Sequence, residues 1–334
     1  VTATPAMHDL RHALAELDGE IVSIGGRRGA RLLSLVHHIA FGKDATDEAT
    51  RLAIADDGLP PPRGVKRGPA MLPATGGKNI AIVTMHGVAL PKFEYPGFAY
   101  ATLGLAQTMQ DLAADTSVSA IILDIDSPGG AVSGTPEAAD AVYAARTRKP
   151  VIAQVSPLCA SAAFWIGSQA SQIVMASSGE CGSLGVFLLH IDMSRMLDAE
   201  GVTPTFIQNV HSPHKTELNP YAPLSPDAKA FEQKQVDAIG RQFIAAVARG
   251  RGLSTATVEA DFGRGRVLMA PDAKRVGMVD RIGGFDDVLR LASSRSAFLA
   301  ARLAKLKTDQ PAPTLTNESK AAERMRRLEL LRQN

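Results

Sequence analysis

The residue in this chain best placed to do chemistry is a serine. Ser161 lies in VIAQVSPLCASAAFWIGSQA, residues 151 to 170, where a β-prone apolar run passes into a helix-like run of small and apolar residues. Near the start of such a helix, backbone N–H groups and the helix dipole favour negative charge. Upstream, AIILDIDSPGG, residues 120 to 130, reads as a buried strand broken by Ser127-Pro128 and two glycines. Adjacent glycines let a backbone turn sharply and bring its N–H groups close to a ligand. A glycine-rich turn on one side and a helix N-terminus on the other can together donate hydrogen bonds to a developing oxyanion. Taken alone, SPGG is equally well an ordinary type II turn. The conjunction suits attack of a hydroxyl on a carbonyl, and a hydroxyl needs a base to activate it.

The elements that must position Ser161 are legible around it. TPEAADAVYAARTR, Thr135 to Arg148, predicts a helix with a Thr N-cap, an early Glu and basic residues in its last turn. A strand from Pro150 to Val155 follows, so strand, helix and strand form a crossover that implies parallel pairing. Ser161 then sits at a strand-to-helix junction, where unrelated hydrolases also expose a nucleophile. Before this block, NIAIVTMHGV (79–88) predicts a buried strand, PKFEYPGFAY a loop over a cleft, and Thr102 to Ala114 an amphipathic helix. His86, at the strand end, is a minor candidate for the site. After it, QIVMA (172–176) predicts a strand, Asp192 to Gly201 a helix, and Thr203 to Gln208 a strand. An irregular polar segment then leads to helices capped by Ser225 (Pro226 to Arg249) and Ser254.

A chain of 334 residues with 45% hydrophobic and 21% charged residues holds one large domain with appendages, or two domains. Helical patterns at Met7 to Leu17 and Ala30 to Phe41 mark an N-terminal region, 1–56. DGLPPPRGVKRGPAMLPATGGK, residues 57–78, reads as a linker, 79–292 as the catalytic domain, and 293–334 as a helical tail. A net charge of +2 and 5% aromatics argue against a nucleic-acid partner. Cys159 and Cys181 read as small core residues, since nothing like a cysteine-peptidase motif surrounds them. His37 and His38 have no further ligands nearby, so no metal or other cofactor is expected.

DIDSPGG, CASAAFWIGSQASQIVMASSGECGSLGV and HKTELNPYAPLS, in that order, resemble the signal peptide peptidase A family of serine peptidases. More narrowly they resemble its bacteriophage branch, the head-maturation proteases of minor capsid protein C type. The resemblance runs from about Ile80 to Ala292. It implies an α/β fold of the Clp/crotonase-like kind, a superhelix of repeated ββα units, here with an N-terminal helical extension and the C-terminal tail. It makes 79–292 the serine peptidase domain and Ser161 the nucleophile. Lys215, on the loop matching the family's lysine segment, is the implied base of a Ser–Lys dyad. Such a lysine must be neutral, which asks burial for roughly 3 to 5 kcal/mol in favour of the free amine. An apolar, closed site is thus expected.

His190, with Asp192 or another carboxylate as orienter, is the rival base, as in a Clp-like triad. The resemblance also implies Gly129, Gly130 and Ala162 as oxyanion-hole donors and Ser183 as a residue that helps position the lysine. Two departures stand out. Cellular members commonly follow the serine with glycine and aromatics, whereas here Ala162-Ala163-Phe164-Trp165 follows; and HKTELNPY lacks the glycine often found beside the lysine.

No apolar run reaches the length of a membrane span, and no basic n-region followed by an apolar core opens the chain. Cellular members are typically tied to membranes, so a soluble phage-type enzyme of the host cytoplasm or procapsid is expected. The opening Val1 reads as a trimmed or processed terminus. The leading expectation is an endopeptidase acting on scaffold or capsid-associated polypeptide, its own chain included. Alternatives are a cellular peptidase of signal peptides and membrane-protein fragments, and an inactive capsid-assembly protein on the same fold. A crotonase-type acyl-CoA enzyme shares the architecture but has no need of Ser161 or Lys215. Apolar strands that cannot stay exposed at an edge imply a homo-oligomer, in which Lys215 can serve a neighbour's Ser161.

Overall fold

The computed structural model describes residues 22–24, 68–92, 94 and 99–294. The chain divides into two compact units, Val1–Ser293 and Ser294–Asn334. The helices expected at 7–17 and 30–41, and those of the tail from 295 on, lie outside the described residues.

A single sheet organises the first unit. Its main path runs β10 (Arg281–Ile282), β7 (Gln172–Met175), β6 (Val151–Ala160), β5 (Val118–Ala131), β3 (Asn79–Leu90) and β2 (Ala70–Pro73). Every neighbouring pair on that path is parallel except β2 with β3. Strands covered on both faces have no solvent side to mark with polar residues, which is why β5 and β6 read as near-continuous apolar runs. Ile121, Leu123 and Ile125 of β5 point to one face, into a core shared with α1 (Thr102–Ala114) and α2 (Thr135–Arg148). Ala120 and Ile122 point to the other, with Ile152, Val174, Val288 and Ala292. Each of these large side chains, fully buried, contributes about 1.5 to 3 kcal/mol relative to exposure. The α/β class and the parallel crossover through α2 are as expected.

Short strands complete the sheet where its centre meets the serine. β4 (Ala99–Ala101) lies parallel to the end of β3, β8 (Glu180–Gly182) parallel to the end of β6, and β9 (Val267–Met269) antiparallel to β8. β1 (Val22–Ile24) lies antiparallel to the end of β5. Around them stand α3 (Ala162–Gly167), α4 (Ser194–Ala199), α5 (Pro226–Arg251), α6 (Thr255–Asp261) and α7 (Ala270–Arg275), followed by a helix over 285–294. The hydroxyls of Ser225 and Ser254 accept the N–H groups of Ala228 and Thr257, the caps their sequences announced.

Several elements differ from expectation for identifiable reasons. β5 is not broken at Ser127-Pro128 but continues to Ala131, with bulges flanking the proline; a bulge is where a strand tolerates a residue without an N–H. β6 extends beyond Val155 to Ala160 because β8 pairs with Leu158, Cys159 and Ala160. Gly134, in the left-handed region at φ 80°, precedes α2 in place of a Thr cap, and the Thr135 hydroxyl donates to the Ala131 carbonyl at 2.9 Å. Ala70–Pro73, within the segment read as linker, is an edge strand. Thr203 to Gln208 forms no strand; its β-prone residues find no sheet edge to pair with and stand exposed.

Candidate active site

Ser161 follows the last residue of β6 and precedes the first of α3, with φ 56° and ψ −120°. That region is strained for any residue with a Cβ, at a typical cost of about 1 to 3 kcal/mol, and it persists only where the surroundings over-determine it. They do so on three sides. The Ser161 N–H donates to the Gly182 carbonyl at 2.7 Å, and its carbonyl accepts the Trp165 N–H at 2.9 Å. The side chains that follow are anchors: Trp165 stacks on Phe243 of α5 with ring centres 4.6 Å apart, and Phe164 meets Phe262 edge-on at 6.4 Å. The small residues Ala162 and Ala163 are fully buried beside them. The Ala-Ala-Phe-Trp departure after Ser161 is therefore a packing solution that fixes α3.

A polar clamp holds the far end of α3. Arg146 of α2 donates to the carbonyls of Gln169, Ala170 and Gly250, while Gln169 donates to the Ala246 carbonyl. Arg146 and Arg249 both lie over the Tyr143 ring, at 4.2 and 4.4 Å. A Cβ on Gly250 would lie 2.3 Å from the Ser168 carbonyl oxygen, so α5 reaches α3 this closely only because that residue is glycine.

The Ser161 hydroxyl does not cap α3; it lies 3.5 Å from the Gly185 carbonyl. The residue is 1% exposed. Ser183 is brought beside it, because the β6–β8 ladder ends at Ala160↔Gly182, one step short of the two serines. Ser183 itself sits at φ 55° with its N–H on the Arg266 carbonyl. On the opposite side, Ser127 pairs with Cys159, which places Gly129 and Gly130 along the strand adjoining the serine. Gly129 adopts φ 97°, and its N–H donates to the Ser127 hydroxyl at 3.2 Å. A Cβ on Gly130 would fall 2.0 Å from the Ala89 carbonyl oxygen, so close packing against β3 alone demands glycine there.

Tyr100 of β4 escaped sequence reading, although it stands at the end of the PKFEYPGFAY loop. It is buried beside Ser127, and burial pushes its phenol above the ordinary tyrosine range. Cys159 and Cys181 are ladder partners, buried and unbridged. Burial raises both thiols, Cys181 to about 12, which suits core residues and not a nucleophile.

Neither candidate base bonds Ser161 among the described residues. The His190 ring bonds the Asn219 carbonyl at 3.0 Å, and the Asp192 carboxylate accepts the Ser194 N–H, a bond that lowers its pKa. No Ser-His-Asp relay joins them to Ser161 among the described residues. Lys215 is exposed within residues 201–225, which contain turns but no helix or strand, and its ammonium makes no hydrogen bond or ion pair among the described residues. Among the described residues, Lys215 therefore makes no hydrogen bond with Ser161 and stands exposed. Nearby, His214 pairs with Glu217, which raises its pKa. His86 pairs with Asp124 at 3.1 Å, opposite a part of β6 well before Ser161.

The chain is similar to proteases over this region. Protease 4 of Salmonella typhi is 30% identical over 236 residues, 70% of this chain and 36% of that protein. The head-tail preconnector protein GP5 of Enterobacteria phage P21 is 32% identical and the capsid assembly protease C of Escherichia phage lambda 31%, each over 58% of this chain and over 37% and 42% of theirs. The chain thus spans well under half the length of these relatives. Among solved structures, a ClpP1 mutant from Listeria monocytogenes has TM-score 0.40 at 15% identity, covering 60% of this chain and 90% of that one. An enoyl-CoA hydratase/carnithine racemase from Magnetospirillum magneticum has TM-score 0.39 at 17% identity, covering 73% and 82%. Among the described residues, no helix is long and apolar enough to cross a membrane. Residues 144–298 match the sequence profile of Peptidase family S49. That span takes in the serine turn, the lysine segment and the closing helices, and on it the chain carries a Peptidase family S49 domain.

Proposed function

We propose that this chain is a serine endopeptidase in which Ser161 is the nucleophile and Lys215, delivered by a neighbouring copy, is the base. The observation that carries the reading is the Ser161 backbone: a buried serine held at φ 56° and ψ −120° on a strand-to-helix turn, its hydroxyl not used as a cap. In the reaction, the Ser161 Oγ attacks the scissile carbonyl carbon as its proton passes to the neutral Lys215 amine. The Ala162 and Gly130 N–H groups, with Gly129 if it leaves Ser127, stabilise the oxyanion. The lysine then gives its proton to the leaving amine, and water releases the acyl group by the same steps.

The arm that bears Lys215 supports delivery from a neighbour. It turns Phe206, Ile207, Val210, Leu218 and Tyr221 to solvent, Ile207 at 98% and Val210 at 91% exposure. A second copy packed on this arm would cover those side chains and bury the lysine, which is the condition for a neutral amine. Ser183, which lies across from Ser161 one step beyond the end of the β6–β8 ladder, would receive the incoming lysine. The likeness to a capsid assembly protease and a head-tail preconnector protein points to capsid or scaffold polypeptide, the chain itself included, as substrate.

The test is intact-mass analysis of an unstructured substrate such as casein incubated with the chain and with Ser161→Ala, Lys215→Ala and His190→Ala. Loss of cleavage by at least about a thousandfold in the first two, with His190→Ala active, is the expected result. A dead His190→Ala beside an active Lys215→Ala moves the base to the histidine. Mixing inactive Ser161→Ala with inactive Lys215→Ala restores cutting if the two residues come from different copies.

A further inference from the structure

A strand has two edges, and the end of β5 has both filled. Along one edge β3 pairs, across a bulge between His86 and Val88, as far as Val88↔Gly129 and Ala89↔Gly130. Along the other β6 pairs from Ile121↔Val151 to Ser127↔Cys159, and then its chain leaves the sheet to form the Ser161 turn. The edge of Gly129, Gly130 and Ala131 vacated by β6 is taken by residues near the start of the chain, antiparallel, in the register Ile24↔Gly129, Ser23↔Gly130 and Val22↔Ala131. Because β3 already holds the first edge of those glycines, β1 must lie on the side of the nucleophile. Its Ile24 end is the one nearer Ser161.

The geometry points to Val22–Ile24 as a built-in occupant of the substrate's main-chain lane, so that the resting enzyme is held back by its own N-terminal segment. The inference rests on the peptidase reading above. A peptide to be cut must bring its carbonyl within reach of both the Ser161 hydroxyl and the N–H groups beside it, and the vacated edge of β5 is the surface that leads there. An extended chain adds to such an edge through backbone hydrogen bonds, with little demand on side chains. β1 makes this addition in cis. An incoming substrate must displace it, and its apparent affinity falls by the fraction of molecules in which the lane is open. The substrate class follows: segments able to lie as an antiparallel β-strand, recognised chiefly through their backbone.

The test uses the full chain with Val22→Pro, Ser23→Pro and Ile24→Pro made singly, since proline has no N–H to offer a ladder. KM and kcat for a fluorogenic extended peptide are measured, together with amide exchange at residues 129–131. The expected result is that the prolines facing β5 lower KM roughly 3- to 10-fold at unchanged kcat and speed exchange at 129–131. A synthetic peptide of residues 20–26 then inhibits those variants competitively. If the unmutated chain cuts but no proline lowers KM, or prolines depress kcat and melting temperature alone, β1 is an ordinary sheet strand and the inference is overturned. A chain as inert as Ser161→Ala overturns the peptidase reading itself.

Discussion

The turn at Ser161 and the arm at Lys215 are built in opposite ways. Around the serine, the backbone is strained yet pinned by a ladder, two aromatic anchors and a clamp in which Arg146 of α2 gathers carbonyls from the end of α3 and from α5. Around the lysine, residues 201–225 have turns, exposed apolar side chains and no ladder at all. The packed core surrounds the serine turn, whereas the lysine segment carries its apolar side chains in solvent. A nucleophile gains from preorganisation. On the reading proposed above, a lysine left exposed until a neighbour covers it would tie activity to assembly.

This contrast can be broken from either side. The largest effect belongs to Trp165→Ala, which removes the stack on Phe243 from a fully packed site; a loss of about 3 to 5 kcal/mol is expected in urea unfolding, with the serine turn loosened and cleavage lost. A stable, active Trp165→Ala would show that the turn holds itself. Next, Ser161→Gly keeps φ 56° without a Cβ and should stabilise the fold by about 1 kcal/mol while abolishing cleavage. A destabilised glycine variant would mean that the serine backbone is not strained. The smallest effect on stability belongs to the arm: Ile207→Asp should change unfolding free energy by less than about 0.5 kcal/mol, because that side chain is already in water. The same variant should shift the assembly toward monomer in light scattering and reduce cleavage with it. An unchanged oligomer and full activity would remove the arm from the interface.

Sequence legibility followed the same divide. α1 begins and ends at the residues its amphipathic pattern marks, Thr102 and Ala114. The serine turn was legible because a strand-forming run meets small residues and then aromatics, a local change of pattern. What escaped was decided at a distance. Nothing local shows that β6 should run on to Ala160, since its partner Cys181 comes from another strand. The two glycines read as a turn, whereas Gly130 is required by the backbone of Ala89, some forty residues earlier. Val22–Ile24 lies between two helical patterns and is a strand only because an edge of β5 awaits it. Thr203 to Gln208 shows the converse, β-prone residues with no edge in their own chain.

The pairing of Cys159 with Cys181 across the β6–β8 ladder gives this molecule an internal timekeeper. Both thiols are buried, and burial keeps them in the unreactive protonated form. They therefore meet an alkylating reagent only when the strands flanking the nucleophile part. The rate at which the two are modified, measured together, gives the opening frequency of the ladder that holds Ser161 when the reagent outpaces reclosing, and the open population when it does not. The mass added by the reagent at the two thiols reads that opening directly.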